Sequence, residues 1–226
     1  MSRRAPDLPF LTPVRVDAEQ RATAHMAASL LLDHPGPDHD AHLAAVREAA
    51  ATLPGPVHDA LVRFVDAVTA WDLTDRQAHY VQTFDLRRRC ALYLTYYAAG
   101  DTRRRGMALV RFVEAFRACG WTPRDDELPD HLPGVLELSA RDRGPVPDLL
   151  LASHRDGIEV LRSALHGHGT PYAHLLDAVC LTLPEVDPGT AARFAALLAQ
   201  GPPQETVGLD RPLLPFPTTR PTEVPA

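Results

Sequence analysis

The segment VHDALVRFVDAVTAW, residues 57–71, shows the pattern that indicates the fold class. It places Leu61, Phe64 and Val68 on one face of a helix, because residues three and four apart lie together when there are 3.6 residues per turn. Similar spacing recurs along most of the chain, whereas Val and Ile never alternate with polar residues over the length of a strand. The pattern therefore predicts an all-α protein.

Turn and capping residues on either side divide the chain into about eight to ten predicted helices in a bundle. Thr74 with Gln77 predicts a capping box, and Thr170 and Asp187, each followed by proline, predict helix N-caps. The predicted helices are 17–34, 38–53, 57–71, 74–85, 87–99, 102–119, 131–140, 147–166, 171–183 and 189–200. We expect a single helical domain at 17–200, between a flexible N-terminus, 1–16, and a disordered proline-rich tail, 201–226.

Three further expectations concern the predicted helix 102–119. Its core-facing stripe is predicted to consist of Met107, Val110, Val113 and Phe116. Gly106, at the start of this stripe, suggests a place where two helices approach closely. Gly120 follows the helix at the position where a glycine usually ends one.

Composition and charge limit the classes of partner. The chain has 226 residues, of which 45% are apolar, so a sizeable core can form. Its formal net charge is -6. Nucleic-acid-binding domains usually carry a basic surface, so the negative charge argues against a nucleic-acid partner.

The cysteines and the N-terminus indicate the compartment. Cys90, Cys119 and Cys180 lie far apart, which argues against a disulfide framework or a cysteine-based zinc site and favours small buried residues in a reducing compartment. Arg3-Arg4 resembles the start of a twin-arginine export signal, but prolines and charges follow where an apolar region is needed. No run approaches the roughly 18 apolar residues of a membrane span. We expect a cytoplasmic protein without direct membrane insertion.

Eleven histidines raise the possibility of a metal-dependent hydrolase. The closest pairs are His39 with His42, which would share a helix face, and His166 with His168 in a glycine turn. No His-Glu-x-x-His pattern, nucleophile elbow or phosphate-binding loop accompanies them. A helical metal-dependent hydrolase that uses His39, His42 or other histidines is therefore kept as an alternative, and no metal or other cofactor is expected.

Two arginine runs, Arg87-Arg88-Arg89 and Arg103-Arg104-Arg105, flank an apolar, tyrosine-rich stretch. Consecutive helical residues point about 100° apart, so neither run can form a patch on a single face. One interpretation is solvated helix ends with structural ion pairs. The other is a rim of arginine and acidic side chains around an apolar groove that binds a peptide.

Two blocks of sequence carry a resemblance to a known family. The first runs from the Y-V-x-T-F-D motif at residues 80–85 to G-D-x-R-x-R-G-M at residues 100–107, and the second is E-L-P-D-H-L-P at residues 127–133. Together they resemble the nitrate reductase delta subunit family of molybdenum cofactor assembly chaperones, which belongs with the TorD-like redox enzyme maturation proteins. The resemblance covers residues 70–140, approximately.

The resemblance implies an all-α, TorD-like fold and a function that composition cannot supply. It implies a chaperone that binds the N-terminal segment of the apo catalytic (alpha) subunit of respiratory nitrate reductase. Such a chaperone holds the apoenzyme, assists insertion of the molybdenum cofactor and is not part of the mature enzyme. It would be no enzyme itself, would hold no cofactor of its own and would be a monomer or a weak homodimer.

The resemblance also directs attention to residues that would contact the partner peptide. Tyrosines suit a surface that is sometimes wet and sometimes covered, because each has an apolar face and a polar tip. The alternative for each aromatic residue is core packing, and for the acidic residues near 125–130 a structured loop. The candidate peptide-binding residues are Tyr80, Phe84, Asp85, Arg87, Tyr93, Tyr96, Tyr97, Asp101, Arg103, Arg105, Glu127, Asp130 and His131.

Overall fold

A computed structural model describes residues 10–98, 102–124 and 126–183, without the side chains of residue 98 and residues 102–104. Within these ranges the α-helices are α1 (Ala18–Leu32), α2 (His39–Ala50), α3 (Gly55–Thr69), α4 (Leu73–Tyr80), α5 (Leu94–Ala98), α6 (Thr102–Ala118), α7 (Leu132–Arg141), α8 (Pro145–Ser153), α9 (Arg155–His168) and α10 (Tyr172–Thr182). The described residues contain no β-strand beyond one isolated bridge. The predicted all-α fold is confirmed, and the predicted helix 189–200 and tail 201–226 lie outside the described residues.

The core forms around α1 and α10. Helix α1 packs against α7 and α10, and α10 also packs against α3 and α9. The predicted apolar face of α3 is confirmed, since Leu61, Phe64 and Val68 are almost completely buried. Before α1, the backbone N–H of Val14 donates a hydrogen bond to the carbonyl of Leu181 at 2.9 Å, so this part of the chain lies against the end of α10.

The start of α4 differs from the prediction. The helix begins at Leu73, and the carboxylate of Asp72 accepts a hydrogen bond from the backbone N–H of Asp75 at 2.8 Å. The predicted capping box of Thr74 and Gln77 is therefore wrong. Aspartate is as good an N-cap as threonine, and a start at Leu73 places Thr74 inside the first turn. The side-chain amide of Gln77 instead donates to the carbonyl of Pro35 at 2.9 Å.

The predicted helix 87–99 is also wrong over its first half. Residues 88–90 form a short 3₁₀ turn, Ala91 is extended, and the α-helix begins only at Leu94. The cause is pairing with a distant segment: Tyr93 and His131 form an antiparallel bridge. On either side of it, the N–H of Leu94 donates to Asp130 and the N–H of Leu132 donates to Leu92. This pairing satisfies backbone groups that a helix would otherwise satisfy.

Asp130 reinforces the same junction. Its fully buried carboxylate accepts hydrogen bonds from the backbone N–H of Thr95, at 3.0 Å, and from the Thr95 hydroxyl, at 2.5 Å. The acidic residue thereby satisfies an N–H in the first turn of α5, where donors lack a partner within the helix. Asp130 therefore stabilises the start of α5.

A single predicted helix over 147–166 is replaced by α8 and α9. The break lies at His154, whose backbone leaves the helical region with φ -108° and ψ 13°. The His154 imidazole packs against the Phe112 ring of α6, with 4.8 Å between ring centroids. At the far end of α9, Gly169 has φ 64°, a left-handed conformation that glycine adopts readily. The helix continues to His168, so His166 and His168 lie in its last turn and not in the predicted glycine turn.

The predicted core stripe of helix α6 is correct at Phe116, which is buried, and wrong at Met107 and Val110, which are 69% and 52% exposed. Phe112, outside the predicted stripe, is buried as well. The helix packs against α5 and α8. Gly120 has φ 77°, and the N–H of Trp121 donates to the carbonyl of Phe116, which confirms the predicted C-terminal glycine.

A buried ionic network joins α9 to α10. Glu159 accepts hydrogen bonds from Arg155, at 2.7 and 3.0 Å, and from Arg162, at 2.7 Å. Arg162 also donates to Asp177 at 3.2 Å, and the His166 imidazole lies 2.9 Å from the same carboxylate. Burial alone would raise the pKa of Asp177, but the hydrogen bonds from histidine and the charge of Arg162 lower it well below its usual range.

Two glycines offer a matched test of helix packing. A Cβ atom on Gly157 would lie 3.0 Å from the Cβ of Tyr97 and 3.3 Å from its ring, whereas a Cβ on Gly106 would meet nothing within 4 Å. The expectation that Gly106 marks a close helix approach is therefore wrong. Tyr97 cannot move aside easily, since its hydroxyl donates to the carbonyls of Arg89 and Ala91 at 3.1 and 2.8 Å.

Gly157→Ala is expected to lower the free energy of unfolding by about 1–2 kcal/mol, because overpacking outweighs the gain in helix propensity. Gly106→Ala, in the open position, is expected to raise it by up to about 1 kcal/mol. Urea unfolding followed by circular dichroism measures both changes. A Gly157→Ala variant that is as stable as the Gly106→Ala variant would contradict the close contact with Tyr97.

Candidate functional site: an acid-rimmed recess

The loop between α6 and α7 encloses a recess of about 270 Å³ together with the end of α1 and one face of α7. Phe116 and Leu128 supply apolar lining, and Trp121, which is 43% exposed, stands at the same place. Tryptophan is usually mostly buried, so a partly exposed tryptophan beside a concave apolar surface needs an explanation. Large aromatic residues of this kind are common where proteins bind partners. The recess therefore has the character of a binding surface.

Charge gives the recess a sign. Its lining includes four carboxylates, from Asp33, Asp126, Glu127 and Glu137, but only two guanidinium groups. Arg124 pairs with Asp126 through two hydrogen bonds of 3.0 and 2.9 Å, and these bonds lower the pKa of the Asp126 carboxyl. Arg141 pairs with Glu137 at 2.7 Å and lies over the Trp121 ring, 5.5 Å from its centroid. The excess of carboxylates favours a basic partner.

Glu127 connects the recess to the bridged segments. Its Oε1 accepts hydrogen bonds from the Tyr93 hydroxyl, at 3.0 Å, and from the backbone N–H of Leu128, at 2.8 Å. The imidazole of His131 lies 3.9 Å from the other carboxylate oxygen. Burial and the hydrogen bond to Glu127 raise the pKa of Tyr93 to about 12, and burial lowers the pKa of His131 despite the nearby carboxylates. Both rings are therefore neutral near pH 7, and Glu127 supplies the charge of this wall.

The structure brings together some of the candidate residues. Tyr93, Glu127 and His131 lie side by side, with 5.4 Å between the ring centroids of Tyr93 and His131. The Arg105 guanidinium lies 6.0 Å from the centroid of the Tyr93 ring, at a distance where a cation and an aromatic face still attract. Asp130 lies directly beneath, fully buried against Thr95.

Three other candidates belong to the core. Tyr80 and Phe84 pack against Tyr172, with ring centroids 6.0 and 4.7 Å away, and Tyr97 is buried against α9. Core packing, the alternative stated for each aromatic residue, describes these three. Tyr96 is half-buried beside Tyr97, at a centroid distance of 5.4 Å.

Two of the remaining candidates, Asp85 and Arg87, do not line the recess. Asp85 and Arg87 are exposed on the segment between α4 and α5. Asp101 and the side chain of Arg103 lie outside the described residues. The run at 87–89 therefore does not form the expected arginine rim, and among the described side chains the arginines that line the recess are Arg124 and Arg141.

Sequence reasoning missed Trp121, Phe116, Asp33 and Glu137. Trp121 could have been noticed from its position, because it follows a helix-ending glycine and precedes a proline-rich loop. A large apolar residue there is not part of a helix face that packs into the core, so it indicates a possible binding surface. Asp33 and Glu137 gave no such signal. Asp33 directly follows α1 and Glu137 lies on α7, so the packing of α1 against α7 brings them to one recess.

The arrangement around His39 argues against the alternative of a metal-dependent hydrolase. Its Nδ1 lies 3.2 Å from the Arg76 guanidinium, which also donates to Asp40 at 2.6 Å and to the carbonyl of Val68 at 3.0 Å. Burial and this guanidinium lower the pKa of His39 to about 4. A fixed positive charge beside the imidazole opposes a metal cation. Among the described residues, no three His, Cys, Asp or Glu side chains are grouped to hold a metal ion.

Among the described residues, no helix has the length and apolar character that crossing a membrane requires. The ten described helices instead form a helical bundle with one face of α7 and its preceding loop turned toward an acid-rimmed recess. Fold and recess together define an all-α protein with a surface suited to binding a basic, partly apolar segment.

Comparison with known proteins identifies the family. The model of the nitrate reductase delta subunit family matches residues 50–178, which include the whole loop from α6 to α7. The chain belongs to the nitrate reductase delta subunit family. This confirms the resemblance carried by the motifs at residues 80–107 and 127–133.

Individual relatives agree with this assignment. The nitrate reductase-like protein NarX of Mycobacterium tuberculosis (strain ATCC 25618 / H37Rv) is 40% identical over 155 residues, which are 69% of this chain and 23% of NarX. The probable nitrate reductase molybdenum cofactor assembly chaperone NarJ of Bacillus subtilis (strain 168) is 26% identical over 175 residues, 76% of this chain and 94% of that protein. The nitrate reductase molybdenum cofactor assembly chaperone NarJ of Escherichia coli (strain K12) is 34% identical over 116 residues, 50% of this chain and 49% of its length. The match thus spans less than a quarter of NarX and about half of the E. coli protein.

Proposed function

We propose that this protein is an assembly chaperone of respiratory nitrate reductase. It binds the apo catalytic (alpha) subunit through the N-terminal segment of that subunit, assists insertion of the molybdenum cofactor and leaves the mature enzyme. It acts in the cytoplasm as a binding protein and catalyses no reaction. The observation that carries the proposal is the acid-rimmed recess, most of whose lining residues lie in the part of the chain that matches the family, with Ser29 and Asp33 outside it. The relatives named as assembly chaperones support it.

The recess suits a segment with apolar side chains on one face and basic ones beside them. Phe116, Trp121 and Leu128 can cover apolar side chains, and burial of such area contributes about 25 cal/mol per Å². Glu127, whose charge no arginine of the recess neutralises at hydrogen-bond distance, can pair with a basic side chain. An amphipathic helix laid in an apolar groove is a common mode of peptide recognition.

The perturbed groups beside the recess favour binding over catalysis. Tyr93 and His131 are both held in their neutral forms, and the Tyr93 hydroxyl is already committed to Glu127. A general acid or base is most effective when its pKa lies near the working pH, and burial shifts these two groups away from it. The same contacts stiffen the wall of the recess, which suits the capture of a peptide.

Calorimetry tests the proposal directly. A synthetic peptide that copies the N-terminal segment of the cognate catalytic subunit is expected to bind the full chain. Trp121→Ala is expected to weaken this binding by about tenfold or more, since exposed aromatic anchors often contribute 1–2 kcal/mol at interfaces.

Leu86→Ala is the matched control, because Leu86 is an apolar residue exposed to 73% that does not line the recess. This variant should bind the peptide as the unchanged chain does. Equal affinities for all three proteins would exclude the recess as the site, and no binding by any of them would exclude the partner.

A further inference from the structure

The chain itself contains a segment with the chemistry that the recess favours. Residues 211–220 read RPLLPFPTTR, with two arginines, no acidic residue and the apolar core Leu213-Leu214-Pro215-Phe216. We propose that this segment docks in the acid-rimmed recess and competes there with the partner peptide. The competition rests on the proposed function, whereas the docking itself does not.

Charge complementarity is the first argument. Residues 211–220 have a formal charge of +2, from two arginines, and the nearest acidic residues, Asp210 and Glu223, lie outside the segment on its two sides. The recess has four carboxylates and two guanidinium groups in its lining, and Glu127 lacks an arginine partner there. Opposite charges on two surfaces favour association and fix its orientation.

The apolar parts also correspond. Pro212-Leu-Leu-Pro215 is a P-x-x-P sequence. Sequences of this kind favour the extended polyproline II conformation that aromatic-lined grooves recognise. The recess offers Trp121 and Phe116 as such a lining. Its 270 Å³ takes only a few side chains, which matches the short core at residues 213–216. Arg211 would then lie about 6 Å ahead of that core, at the acidic rim.

The length of chain permits this arrangement. The described chain ends at Leu183, directly after Thr182, whose hydroxyl lies 3.1 Å from the His25 imidazole. The other nitrogen of His25 lies 2.9 Å from Ser139, on the helix that forms one wall of the recess. Even with the helix predicted for residues 189–200, residues 184–212 can extend roughly 70 Å, more than the diameter of the domain.

Docking within one chain does not need high affinity. A segment joined by a linker of this length has an effective concentration in the millimolar range, so a weak contact is populated for much of the time. Occupation by the tail reduces the fraction of recess open to a partner and lowers the apparent affinity of the partner by the same factor. The tail would thus restrict the recess to partners that bind it better than the chain's own segment.

Paramagnetic broadening in the full chain tests the docking. A nitroxide is attached to Thr218→Cys in a Cys119→Ser background, because Cys90 and Cys180 are fully buried and Cys119 is partly exposed. The nitroxide is expected to reduce the indole N–H signal of Trp121 about threefold or more at millimolar effective concentration. Trp71, which does not line the recess, is the internal reference and should keep its intensity.

Charge variants of the tail complete the test. Arg211→Glu with Arg220→Glu is expected to restore the Trp121 signal, whereas lysine at both positions should preserve the broadening. A Trp121 signal that the nitroxide leaves unchanged, or broadening that persists after charge reversal, would overturn the proposal.

Titration with the partner peptide separates this proposal from the proposed function. If the peptide binds and restores the Trp121 signal, both hold, and the charge-reversed tail should bind the peptide about two- to fivefold more tightly. If the peptide shifts Trp121 while the nitroxide never broadens it, the docking fails and the proposed function stands. If the tail broadens Trp121 but the peptide does not displace it, the docking stands and the recess is not the partner's site.

Discussion

Glu159→Gln is expected to lower the free energy of unfolding by about 3–5 kcal/mol, the range found when one member of a buried ion pair is removed. Glu159 is fully buried and accepts hydrogen bonds from both Arg155 and Arg162. Glutamine has nearly the same volume, so the change removes charge without opening a cavity. Two buried guanidinium groups would then lose the carboxylate that compensates them and would repel each other.

The neighbouring groups cannot replace Glu159. Asp177, on α10, is already paired with Arg162 and His166. Within the described contacts, Glu159 is the carboxylate that forms an ion pair with Arg155. The loss should therefore appear mainly in stability and in the packing of α9 against α10, and only weakly in peptide binding at the recess.

Denaturant unfolding of the variant and of Glu137→Gln measures the effect. Glu137 forms an ion pair with Arg141 at the same 2.7 Å, also four residues apart on one helix, but the side chains of Arg141 and Glu137 are 47% and 40% exposed. Exposed pairs contribute about 0–1 kcal/mol. If the two variants lost the same free energy, burial would not be what makes the Glu159 network important.

Acidification is expected to destabilise the protein through His25. The imidazole is fully buried between Ser139, at 2.9 Å, and Thr182, at 3.1 Å, and burial and the charge of Arg21 lower its pKa to about 3. In the unfolded chain the same group takes up a proton near pH 6.5. Stability is therefore complete above about pH 6.5 and falls as the pH decreases toward 3, because only the unfolded chain binds the proton in this range.

The size of the effect follows from the shift. Each unit of pH below 6.5 removes about 1.4 kcal/mol, so His25 accounts for roughly 2.7 kcal/mol between pH 7.5 and 4.5. His25→Gln is expected to be less stable at pH 7.5, since Gln fits the two hydroxyl partners less well, but to lose less stability on acidification. Unfolding free energies at several pH values give the two curves. Parallel curves would mean that His25 already carries a proton in the folded protein.

Local chemistry was enough to predict several elements. The apolar face of α3 follows from spacing alone, and Gly120 and Gly169 end their helices because a left-handed residue is needed there. The sequence motifs at residues 80–107 and 127–133 indicated the family correctly. The predictions that failed have a common origin in contacts between distant segments. Residues 87–93 are not α-helical because Tyr93 pairs with His131, and α4 begins earlier because Asp72 provides a cap.

The candidate site was less accessible to sequence reasoning. Glu127, His131 and Tyr93, named as candidates through the motif, lie together beside the recess, whereas Tyr80 and Phe84 pack around Tyr172, which is the core alternative left open for them. An aromatic residue in a helical pattern reveals the face on which it lies. It does not reveal whether another helix covers that face.

The helical class, the positions of the turns and the family were decided by properties of short segments: spacing, capping chemistry and motif. The recess, its excess of carboxylates and the burial of Glu159 were decided by the packing of α1 on α7 and of α9 on α10. Helical periodicity describes each residue relative to its own axis, whereas burial and charge pairing depend on which axis lies beside it. That neighbour is chosen by the whole chain.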